Sequence, residues 1–90
     1  MRLDRYLCFV RLIKSRTLAQ ALIDQRRTRI DGRRVEKPSE PIRLGSVITF
    51  PQHETVRVIR VLALPVRRGP AAEARSCYAE LGVDDDAAPA

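Results

Sequence analysis

The chain has 90 residues, enough for one domain with a modest core and too few for the two-domain layout of most metabolic enzymes. It is 44% hydrophobic, 31% charged and 4% aromatic, inside the globular range, and no apolar run approaches the roughly 20 residues that span a membrane. Residues 1–70 carry 16 Lys and Arg against 6 Asp and Glu, and residues 71–90 carry 1 against 5, so a body of +10 precedes a segment of −4 and offers a positive face to a polyanion, most commonly nucleic acid.

Leu3, Tyr6, Leu7, Val10 and Ile13 recur at three- and four-residue spacing, which predicts an amphipathic helix from Arg2 to about Ile13. Arg5, Cys8 and Leu12 fall on roughly the opposite side and Phe9 on a flank, leaving apolar groups for another element to cover. Lys14, Ser15 and Arg16 form a break. Thr17 and Gln20 read as a capping box that starts a second helix, about Leu18 to Gln25, whose Ala19, Leu22 and Ile23 pack on the first. Thr28, Ile30 and Val35 around Asp31-Gly32 predict two short strands joined by a two-residue turn.

Pro38 and Pro41 hold the next stretch extended, and Gly45 supplies a positive φ before a strand from Val47 to Phe50 that Pro51 breaks. His53 lies in the following turn, and Val56 to Leu64 forms the return strand, with a bulge near Ile59 where the alternation slips. After Arg67-Arg68-Gly69-Pro70, a last helix from about Ala71 to Leu81 offers Ala74, Cys77, Tyr78 and Leu81 as a cover for Phe9 and Leu12. Residues 83–90, with Asp84, Asp85 and Asp86, read as an acidic disordered tail.

The residue inventory argues against catalysis and metal binding. Cys8 and Cys77 stand far apart with no CxxC, and His53 is the one histidine, so neither a zinc site nor a disulfide framework is expected. Ser15, Ser39, Ser46 and Ser76 share that single possible imidazole partner, and no glycine-rich phosphate loop is present. No cofactor is expected. The amino terminus lacks a secretory apolar stretch, which points to the cytoplasm.

The runs R-L-D-R-Y-L (Arg2 to Leu7), K-S-R-T-L-A-Q-A-L-I (Lys14 to Ile23), I-D-G-R-R-V-E-K-P-S (Ile30 to Ser39) and L-G-S-V-I (Leu44 to Ile48) together resemble, in order and spacing, the S4 RNA-binding domain. The segment R-R-G-P-A-A-E-A-R-S-C-Y (Arg67 to Tyr78) is similar to the stretch that follows this domain in the bacterial heat shock protein 15 family. The resemblance implies an α+β fold, a helical hairpin on a small twisted, mostly antiparallel sheet, with a short C-terminal helix. It implies an RNA-binding domain over 1–66, a helical extension over 67–82 and the acidic tail over 83–90. Two departures stand out: Arg26 occupies the place of a glycine that closes the second helix in many members, and an acidic stretch replaces a long basic C-terminal extension.

Arg2, Arg5, Lys14, Ser15, Arg16, Arg27 and Lys37 match motif positions of the family and are the implied RNA contacts. Thr17 joins Ser15 as a hydroxyl at the helix start, where free amides and the helix dipole also favour phosphate, and Arg26, Arg29, Arg33 and Arg34 are added from charge alone. Pairing of Arg2 or Arg5 with Asp4 or with the carboxylates of the second hairpin, the other cations being solvated, is the structural alternative. The expected function is non-enzymatic binding of structured RNA, as a monomer, on the large ribosomal subunit, through ribosomal RNA or ribosome-bound tRNA, in a heat-shock or stalled-ribosome rescue role. No membrane partner is expected. The rivals are a helix-turn-helix DNA regulator, with non-specific DNA binding, and a detached module of an RNA-modifying enzyme.

Overall fold

The structure, a computed structural model, describes residues 1–82. Two helices, α1 (Leu3–Phe9) and α2 (Arg16–Asp24), share one core with a five-stranded antiparallel sheet. Its strands are β1 (Arg29–Ile30), β2 (Arg33–Arg34), β3 (Val47–Gln52), β4 (Thr55–Val61) and β5 (Tyr78–Gly82), in the order β2-β1-β3-β4-β5, and the short α3 (Ala71–Arg75) precedes β5. This is the α+β architecture read from the sequence.

The first helix is shorter than its periodicity predicts because the chain turns at Arg11, whose φ is 63°. The Arg11 N–H donates to the Cys8 carbonyl and the Leu12 N–H to the Leu7 carbonyl, a Schellman closure that tucks Leu12 into the core. The second helix begins two residues earlier than expected. Ser15, with extended φ and ψ of −148° and 165°, caps it by accepting a 3.2 Å hydrogen bond from the Leu18 N–H. Thr17 therefore lies exposed in the first turn, and Gln20 turns to Asp4 instead of closing a capping box.

Asp31 and Gly32, at φ 52° and 82°, form the expected two-residue turn between β1 and β2. Pro51 lies within β3 rather than ending it. In a hairpin closed by the pair Gln52 and Thr55, the next pair, Pro51 and Val56, is a non-hydrogen-bonded one, and β1 reaches only Ile48 and Thr49, so no partner asks Pro51 for an N–H. The bulge stands where the alternation slips, between Val58 and Ile59.

The C-terminal segment departs most from its reading as one helix. Helix α3 stops at Arg75, and Tyr78–Gly82 pairs with β4 through Val58 to Val61. Left alone, β4 would expose a row of unpaired backbone groups, and covering that edge outweighs the helical spacing of Ala74, Cys77, Tyr78 and Leu81. Phe9 and Leu12 are consequently not covered by a helix. Phe9 faces Leu64, Pro65 and Val66, and the Leu12 carbonyl accepts a 2.8 Å hydrogen bond from Gln52 Nε2. Residues 83–90, read from sequence as a tail, lie outside the described residues.

The core joins Leu3, Tyr6, Leu7, Val10, Ala19 and Ile23 of the helices to Ile30, Ile48, Phe50, Ile59 and Val61 of the sheet, with Val35 and Ile42 from the connecting loop. Tyr6 is fully buried and its hydroxyl donates to the Cys77 carbonyl at 2.9 Å, tying α1 to the segment before β5. That burial, together with nearby Cys77 and Tyr78, pushes the Tyr6 hydroxyl well above the usual phenol range. Thr28 is also fully buried, and its hydroxyl has no hydrogen-bond partner among the described residues.

Candidate nucleic-acid interface

The basic face is organised around a buried carboxylate. Asp4, in the first turn of α1, is fully buried and accepts hydrogen bonds from Arg2 Nε at 2.7 Å, from an Arg2 terminal nitrogen at 2.9 Å and from Gln20 Nε2 at 2.9 Å. The Arg16 guanidinium lies 3.9 Å away. Burial pushes this carboxyl up, but the bonds from Arg2 and Gln20 prevail and hold it below its usual range, ionised. One carboxylate thus fixes the start of α1 against the outer side of α2.

The loop after β2 is fastened to the same place. The Leu3 and Asp4 N–H groups donate to the Glu40 and Pro38 carbonyls at 2.9 and 3.1 Å, which satisfies the first amides of α1 and fastens the loop that carries Lys37 to the start of that helix. At the other end of the loop Glu36 pairs with Arg26 at 3.0 Å, just past α2, and Glu40 pairs with Arg33 at 3.3 Å. Arg26 sits at φ 65°, in the left-handed region that favours glycine, so the helix closes as read from sequence but with a strained residue.

The sequence-derived site residues fall into three groups. Arg2, Arg26 and Arg33 are engaged by Asp4, Glu36 and Glu40, and the Ser15 hydroxyl is engaged as a cap. Lys14, Arg27, Arg34 and Lys37 are exposed and make no ion pair among the described residues, Arg29 bonds only the Gly32 carbonyl, and Arg16 is 43% exposed with its one carboxylate at long range. Thr17 is exposed beside Arg16. Arg5 stands apart, lining a groove with Met1, Phe9 and Leu64 to Val66.

Arg29 and Arg34 are directly opposite each other in the β1–β2 ribbon and both exposed. Like charges so placed destabilise a sheet, and a shared anion between them removes the repulsion. The pairing of Arg2 with Asp4, the structural alternative read from the sequence, is present and anchors the face. The bond from Gln20 to the same carboxylate escaped the sequence, and so did two further cations. Arg11 and Arg68 are structural, donating to the Gly69 and Cys8 carbonyls at 2.7 and 2.6 Å and so clamping the two chain halves together.

Comparison with known proteins bears on this arrangement. Heat shock protein 15 of Escherichia coli strain K12 is 35% identical over 80 residues, covering 89% of this chain and 59% of that one, and its Haemophilus influenzae homolog is 30% identical over 80 residues, covering 89% and 60%. This chain therefore spans about three fifths of the length of these relatives. The solved structure of Vibrio cholerae Heat Shock Protein 15, described as trimeric, superposes with a TM-score of 0.83 at 31% identity, covering 89% of this chain and 80% of that one. The S4 domain family matches residues 1–48, which hold α1, α2, the β1–β2 ribbon and every residue of the cationic face, and the chain belongs to that family.

Proposed function

We propose that the chain binds structured RNA without catalysing a reaction, on the large ribosomal subunit, through ribosomal RNA or ribosome-bound tRNA, in a heat-shock or stalled-ribosome rescue role in the cytoplasm. The observation that carries the RNA reading is the set of exposed cations Lys14, Arg27, Arg29, Arg34 and Lys37, which make no ion pair among the described residues, on either side of α2 and along the β1–β2 ribbon. Cations on rigid elements suit phosphates spaced along a folded duplex, which A-form RNA presents while hiding its base edges in a deep groove. The likeness to heat shock protein 15 supports the heat-shock role. The RNA-binding unit is residues 1–66, extended by 67–82, and it binds as a monomer.

Fluorescence anisotropy with a ribosomal RNA hairpin tests the binding. Each phosphate neutralised contributes about −0.7 to −0.9 to the slope of log affinity against log salt, so four to six contacts give roughly −3 to −5. A slope shallower than about −1 removes the phosphate mechanism. Crosslinking in cells with sequencing of the bound nucleic acid tests the target, where reads without a ribosomal peak refute it. Light scattering of the free and bound protein distinguishes the monomer from a trimer.

A further inference from the structure

Where the C-terminal end of α2 faces the β3–β4 turn, a cleft of about 360 Å³ opens between Leu22, Gln25 and Arg27 on one wall and Pro51, His53 and Val56 on the other. Its size falls at the lower end of the range of about 300–1,000 Å³ typical of small-ligand sites. Leu22, Pro51 and Val56 give it an apolar surface. Gln52 also lines it but is committed to Leu12 and Arg57, whereas Gln25, Arg27, His53 and the adjoining Glu54 have no side-chain partner among the described residues.

The turn that forms one wall is unusual. His53 and Glu54 hold φ values of 51° and 66°, two side-chain-bearing residues in succession in the left-handed region that hairpin turns normally fill with Asn-Gly. That backbone projects an imidazole and a carboxylate at the cleft mouth, where glycine would leave it bare. Arg27 belongs at once to this cleft and to the cationic face.

Resting on the RNA reading above, we propose that the cleft receives one unpaired nucleobase of the bound RNA, with a flanking phosphate on Arg27. The Gln25 amide offers a donor and an acceptor, the His53 ring a donor and an acceptor, and the Glu54 carboxylate acceptors for an exocyclic amino group, a set that reads base edges. The walls hold no Phe, Tyr or Trp, and the base is held by its edge and by apolar contact with Leu22, Pro51 and Val56. Such an edge is offered by a bulged or flipped nucleotide and not by a continuous duplex.

The test compares two RNA hairpins of equal stem length, one fully paired and one with a single bulged nucleotide, titrated against the full chain at fixed salt. The expected result is a preference of about tenfold for the bulged hairpin. In the double variant Gln25→Ala, His53→Ala the preference falls to about one while affinity for the paired hairpin and the thermal midpoint are kept, since both side chains are exposed. Equal affinity of the unaltered chain for the two hairpins overturns the proposal, and so does a preference that survives in the double variant. Failure to bind either hairpin removes the RNA reading itself, and the cleft assignment with it.

Discussion

Replacing Asp4 by Asn tests whether the buried carboxylate organises the basic face. The substitution keeps size and shape but removes the charge and turns one acceptor oxygen into an amide donor, which faces either Arg2 Nε at 2.7 Å or, in place of the other oxygen, an Arg2 terminal nitrogen and Gln20 Nε2 together, each at 2.9 Å. At least one charge-assisted bond is lost and one donor pair is set in conflict. With hydrogen bonds to charged groups contributing about 1.5–3 kcal/mol, the expected loss is about 3 kcal/mol. For a domain of this size that lowers the thermal midpoint by about 12–24 °C at neutral pH. The effect carries a pH signature. Because the folded Asp4 carboxyl lies below its ordinary value of 3.8, its contribution is fully present above about pH 4 and is lost as the pH falls through the folded value. The gap between the two proteins, followed by circular dichroism, should narrow in acid. A loss under about 1 kcal/mol, or a gap that does not change with pH, refutes the anchoring role.

Ser15→Ala should cost about 1 kcal/mol through the lost cap while Thr17→Ala changes urea midpoints little, the reverse of what a Thr17 capping box requires. Arg26→Gly should stabilise by about 0.5–1 kcal/mol, since relief of the left-handed backbone exceeds the loss of an exposed pair with Glu36; a destabilised variant refutes the strain. Thr28→Val removes a buried hydroxyl that has no partner among the described residues and should leave thermal stability unchanged or raise it by about 1 kcal/mol, whereas a clear loss shows that the hydroxyl is satisfied.

The helical hairpin was legible because its apolar residues repeat at helical spacing, and the β1–β2 ribbon because Asp31-Gly32 admits one kind of turn. The bulge near Ile59 was legible as a slipped alternation. What the sequence concealed were outcomes settled between elements distant in the chain. Ser15 and Thr17 are both plausible caps in the run K-S-R-T, and Gln20 is drawn off by Asp4, sixteen positions away. Tyr78 to Gly82 carries spacing compatible with a helix, and the open edge of β4 decides for a strand. For the candidate face, the cations were evident from composition, but their division into engaged and open members depended on where Asp4, Glu36 and Glu40 came to lie.

The hydrogen bond from Tyr6 to Cys77 spans 71 positions of a chain of 90, and β5 is added to the sheet from the last described residues. A contact of that separation closes a long loop and is slow to form, because the chain entropy is lost before the contact rewards it. During synthesis the cationic stretch from Arg2 to Lys37 is made well before Cys77 and Tyr78 exist to complete the core beneath it. The fold is therefore completed only when its last described strand arrives, and an interrupted chain that ends before residue 77 lacks the carbonyl that receives the buried Tyr6 hydroxyl and the strand that covers the edge of β4.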